Sequence, residues 1–161
     1  MPRQDPNLRH PLQGLGRAAP GGEGHCRRLL RSAGYDLRRP VSDIIGFAEH
    51  HAEALYRLGQ EKFGTLPVVD LTARGGRPFP QPPDGFLYAR CAVVAGRAVW
   101  ESVFSDVDEF VPYTSTERDG EWLLYVPDEA YEPATGKEWD RTTRHCVESC
   151  SDRDGRPDMP D

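Results

Sequence analysis

Between residues 42 and 63, mainly apolar side chains recur every three or four positions. Ile44, Phe47, Ala48, His51, Leu55 and Leu58 share one stripe, and the spacing predicts an amphipathic helix. Ser42 is a suitable N-cap, and Asp43 suits the positive end of the helix. Glu49, Glu53 and Arg57 lie on the opposite side at i, i+4 spacing. Gly46 and Gly59 each weaken the helix by about 1 kcal/mol relative to Ala, and Gly64 is a natural stop.

Downstream, the pattern changes to short runs rich in β-branched and aromatic residues. Leu66–Thr72 reads as a strand. Phe86–Val94 and Arg97–Phe104 flank Ala95-Gly96 and read as a hairpin. Phe110–Thr116 and Glu121–Val126 flank Asp119-Gly120, a hairpin dipeptide, and Pro112 sends the first of these strands to an edge or a bulge. Tyr88, Trp100, Tyr113, Trp122 and Tyr125 supply aromatic mass to that sheet. Between the strands, residues 73–85 hold four Pro and three Gly and read as an irregular loop. The expected fold class is α+β: one long amphipathic helix packed on a small, mostly antiparallel sheet of about five strands.

Four segments follow from the same pattern. Residues 1–24, with four Pro and five Gly, are expected to be a disordered basic arm. Residues 25–39 form a short helix and linker, with Gly34 as its stop and Pro40 holding Arg39 extended. Residues 40–130 form the folded domain. Residues 131–161 are an acidic irregular cover and tail, with Tyr131 and Trp139 as the groups that pack.

Composition narrows the function classes. In 161 residues, 16 Gly and 15 Pro are incompatible with a long coiled coil or a helical bundle throughout. No apolar run is long enough to span a membrane. The N-terminal stretch has no apolar signal region, so a cytoplasmic protein is expected. The net charge is −6 but polarised: residues 1–40 carry eight Arg against Asp5, Glu23 and Asp36, whereas residues 101–161 carry seventeen acidic and six basic side chains. Eighteen Arg against two Lys suggests GC-rich coding, as in a bacterial or phage source.

Residues 36–49, DLRRPVSDIIGFAE, resemble the dimerisation helix of sensor histidine kinases just after its phosphoacceptor. Leu37, Arg38, Pro40 and Ile44 to Glu49 carry the match. Tyr35 stands where that family has its His, Gly34 interrupts the preceding helix, and no ATP-binding motif follows. The resemblance therefore implies no phosphotransfer, and no family is assigned on it.

Five sets of residues carry candidate chemistry. Cys26, His145, Cys146 and Cys150, with His25 beside Cys26, offer thiolate and imidazole ligands that zinc could use to staple the two ends; no other cofactor is implied. Cys91 reads as a small hydrophobe in a strand. His50 and His51, with Asp106 or Asp108, could form a base and its orienting carboxylate in a hydrolase-like site, and Glu109 extends that acidic cluster. Arg27, Arg28, Arg31, Arg38 and Arg39 could contact phosphates, although the acidic balance opposes a nucleic-acid partner. Residues 77–83, RPFPQPP, contain a PxxP spacing suited to an aromatic groove.

No nucleotide-binding or hydrolase motif is present. The expected function is that of a small soluble accessory protein acting by protein–protein interaction, with the partner unspecified. The alternatives are the small enzyme and a metal-stapled or nucleic-acid-binding regulator. A membrane partner is not expected.

Overall fold

A computed structural model describes residues 39–96, 99–149 and 151. The expectations for residues 1–24, for the helix at 25–34 and for the tail beyond 151 lie outside these residues. The fold is mixed, combining several helices with one small antiparallel sheet of two strands.

Helix α1, Val41–Arg57, realises the stripe, burying Ile44, Ala48, His51, Ala52 and Leu55. Pro40, not Ser42, occupies the N-cap position, and its carbonyl accepts from Asp43 N at 2.9 Å. The helix ends at Leu58, where Gly59 N turns back to Tyr56 O at 2.8 Å. A single turn, α2 (Glu61–Gly64), follows and buries Phe63.

The largest correction concerns the sheet, because three of the segments expected as strands are largely helical. Phe86–Val94 lies within α3, Pro83–Ala95. Pro83 and Asp84 start that helix, and Leu87, Ala89, Arg90 and Ala92 favour it. Gly85, Phe86 and every residue from Ala89 to Val93 are buried, so apolar positions surround its C-terminal half. Such a segment has no polar face, and periodicity does not separate it from a buried strand. Residues 102–104, expected as the end of the strand Arg97–Phe104, belong to the single turn α4 (Ser102–Ser105). The expected strand Phe110–Thr116 is mostly a 3₁₀ segment, Val107–Thr114, which holds Pro112. Glu121–Tyr125 is also 3₁₀ and runs into α5, Val126–Thr135.

Asp119-Gly120 is consequently not a hairpin turn. Gly120 is needed for a different reason: it lies against the backbone of α3, where an added Cβ would fall 2.6 Å from Ala92 N.

The one sheet pairs β1, Pro67–Thr72, with β2, Pro78–Pro80. The pairs are Pro67 with Pro80, Val68 with Phe79 and Thr72 with Pro78, with an irregularity between Val68 and Thr72. The segment expected as an irregular loop, 73–85, thus supplies the turn, the second strand and the start of α3. Gly75 and Gly76 make the turn at φ 84° and 76°, a left-handed region that glycine enters without Cβ strain.

The core brings Leu58, Phe63, Phe86, Ala89, Val93, Val103 and Phe110 together. Phe63 stacks on Phe110 at 4.8 Å and meets Phe104 edge-on at 6.1 Å. A second cluster joins Leu123 and Val126 to Phe47 and Trp122. Helix α5 packs chiefly against α1, and its end is capped by Gly136 at φ 71°. Tyr131 then packs edge-on against Trp139 at 5.2 Å.

The C-terminal described segment is tied to the core by Arg90, which is fully buried. Its Nη1 donates to Leu55 O at 2.8 Å, and Nη2 donates to Val147 O at 3.0 Å and Ser149 Oγ at 3.2 Å. Its guanidinium also lies 4.8 Å from the Phe86 ring centre. Arg144 N donates to Glu49 at 3.0 Å, a second tie to α1.

Candidate functional site

His50 and His51 both lie on α1, but in different surroundings. His50 is exposed. His51 is buried, its ring stacks on Phe47 at 5.5 Å, and among the described residues its Nε2 has no hydrogen-bond partner. Burial disfavours the imidazolium and lowers its pKa to about 4. Asp106 and Asp108 are exposed at the head of the 3₁₀ segment, where Asp106 Oδ1 accepts from Asp108 N at 3.0 Å as an N-cap. Among the described residues, no hydrogen bond or ion pair joins either His to either Asp.

His51 sets a pH dependence of stability. The unfolded imidazole takes up a proton near pH 6.5, and the folded one only near pH 4. The unfolded state therefore binds the extra proton in this window, and folding loses stability as pH falls through it. Stability is level above about pH 6.5 on this account, and the loss approaches about 3 kcal/mol near pH 4. Urea titrations at several pH values should show this slope. His51→Phe, which keeps a ring against Phe47, should remove most of it; an unchanged slope in that variant would rule out His51 as the source.

The metal-ligand set is only partly described. His145 packs its ring against Tyr56 at 5.0 Å, and Cys146 is exposed. Cys26 and Cys150 lie outside the described residues. Among those described, no group of three or more His, Cys, Asp or Glu side chains is placed to hold a metal. Cys91 is buried on α3, not on a strand, and burial pushes its thiol up to about 12. It therefore packs as a small hydrophobe without thiolate character.

The β1–β2 hairpin is the feature that stands apart from the core. Every residue from Val69 to Pro80 except Ala73 is exposed. Val69, Leu71 and Phe79 retain 53%, 42% and 39% of their accessible surface, which is unusual for apolar side chains gathered on one hairpin. A two-stranded hairpin is marginal by itself, so this one depends on its base. There, buried Thr114 donates its hydroxyl to Pro67 O at 2.8 Å and accepts from Val69 N at 3.1 Å. Asp70 accepts from the Thr116 hydroxyl at 2.5 Å, from Thr116 N at 2.9 Å and from Ser115 Oγ at 2.9 Å. These bonds, Thr116 foremost, hold the exposed Asp70 carboxyl down at about 2.

A cleft opens beside this base. It measures about 240 Å³, and its lining includes Ala92, Pro112, Tyr113, Ser115, Glu117 and Asp119. Arg118 completes the wall, its Nη1 donating to Ser115 O at 2.7 Å. Ser115 belongs to both features, bonding Asp70 of the hairpin and lining the cleft. The arrangement suits recognition: apolar side chains in water sit next to a recess with carboxylates on its rim.

Sequence reasoning missed the hairpin and Arg90. A partial signal for the first was present, because a five-residue connection containing Gly75-Gly76 follows the strand-like run that ends at Thr72. No local signal marks Arg90, whose partners lie 35 to 59 residues away.

Among the described residues, no helix is long and apolar enough to cross a membrane. No protein-family model, curated protein or solved structure matches this chain.

Proposed function

We propose that this protein acts by binding another protein, with the β1–β2 hairpin as its contact surface. The observation that carries this reading is the exposure of Val69, Leu71 and Phe79 on a hairpin fastened to the core through Thr114 and Ser115. Exposed apolar side chains favour association, because contact removes them from water. The turn adds Arg74 and Arg77, both exposed, which contribute to orientation and partner choice. In this reading the chain is an accessory protein and needs no cofactor.

The test compares the wild-type chain with a triple variant, Val69→Ser, Leu71→Ser and Phe79→Ser, as baits in a source lysate. None of these side chains is among the buried core residues, so the circular dichroism spectrum should be retained. The expected result is a stoichiometric protein bound by the wild type and lost from the folded variant. Identical captures from both baits would overturn the reading.

A further inference from the structure

We infer that the hairpin of one chain docks into the cleft of a second copy of the same chain, giving a reciprocal two-fold dimer. This rests on the interaction reading above and names the partner.

Three observations support self-pairing. The first is charge. Arg74 and Arg77 sit at the hairpin turn, and among the described residues neither has an ion-pair partner. Residues 101–149, by contrast, carry thirteen acidic and four basic side chains. The chain thus bears both halves of a complementary pair. Exposed Asp119 lines the cleft and offers a carboxylate to such a guanidinium.

The second is size. At about 240 Å³ the cleft falls below the roughly 300–1,000 Å³ of ordinary small-molecule sites. Ala92, Pro112 and Tyr113 supply the apolar part of its lining, and a recess of this volume takes one large side chain such as Phe79 or Leu71.

The third is position. Asp70 of the hairpin bonds Ser115, which lines the cleft, so donor and acceptor surfaces adjoin on one side of the molecule. A two-fold interface requires one self-complementary patch, and adjoining surfaces meet that requirement. Each contact then occurs twice, which doubles the apolar area removed from water.

Sedimentation velocity on the full chain, over a concentration series at low and high salt, tests the inference. The wild type should show a monomer–dimer equilibrium that weakens with salt. Arg74→Glu with Arg77→Glu, and separately Asp119→Arg, should each weaken self-association by about tenfold or more. The combined triple variant should recover much of that loss, because the charges are exchanged. All these positions are exposed, and the circular dichroism spectra should match.

A wild type that stays monomeric throughout, or variants that dimerise as well as it does, would overturn self-pairing. Lysate capture with the same proteins separates this failure from failure of the interaction reading. A monomeric wild type whose foreign partner is lost from the hairpin variants leaves the hairpin as a contact surface for that partner. A monomeric wild type with captures unchanged by the variants removes both readings.

Discussion

Replacing Arg90 by Leu should destabilise the protein by about 3–5 kcal/mol, among the largest effects of any single side chain here. The guanidinium is fully buried and serves Leu55 O, Val147 O and Ser149 Oγ at 2.8, 3.0 and 3.2 Å. Leu55 lies in the last turn of α1, where carbonyls lack partners further along the helix. A cation placed there also complements the negative end of the helix dipole. Leucine leaves both carbonyls facing an apolar side chain, and each stranded buried group costs about 1–3 kcal/mol.

Against a typical domain stability of about 5–15 kcal/mol, this is a large fraction. Urea denaturation should show the midpoint move far down. Arg90→Lys should recover only part of the loss, because one ammonium does not reproduce the planar fork. The variant should also loosen the segment around Val147 and Ser149, which limited proteolysis would reveal as an early cut. A midpoint within about 1 kcal/mol of wild type would show that Arg90 does not hold this segment.

Gly120→Ala should cost about 3–4 kcal/mol, although it adds a single methyl group. That methyl would lie 2.6 Å from Ala92 N, 2.7 Å from Cys91 C and 2.8 Å from Ala92 Cα. All three are backbone atoms of the buried part of α3, so no side chain can turn aside. Relief requires moving α3 away from the 3₁₀ segment Glu121–Tyr125, which opens packing around Leu123 and Val94. A fall in Tm of more than about 10 °C is expected.

Gly46→Ala is the matched control. An added Cβ at Gly46 meets nothing within 4 Å on a regular helix. That change should stabilise by about 0.5–1 kcal/mol, through helix propensity alone. Equal effects from the two substitutions would show that propensity, not the close approach to α3, governs Gly120.

Helix α1 was legible in the sequence because its information is local. One face is apolar, the other carries Glu49, Glu53 and Arg57, and a 3.6-residue period can be read without knowing the neighbours. The strand at Pro67–Thr72 was legible for a similar reason, as a short β-rich run ending at turn residues. Local pattern also identified His50, His51, Asp106, Asp108, His145 and Cys146 as reactive types. It did not indicate that His51 would be buried with no partner for Nε2 among the described residues.

The tertiary structure decided the rest. Residues 86–94 are apolar on nearly every side, and a segment without a polar face carries no period to read. Its enclosure by α1, the 3₁₀ segments and the terminal segment stabilises a helix there. Gly120 looked like a turn residue because turns are the commonest local reason for glycine, yet its reason is the backbone of α3. The joining of the hairpin to the cleft through Asp70 and Ser115, and of α1 to Val147 through Arg90, spans 45 and more residues. Local sequence sets periodicity and conformational cost. Contacts between distant segments choose among conformations of similar local cost, and here they selected helices over a five-stranded sheet.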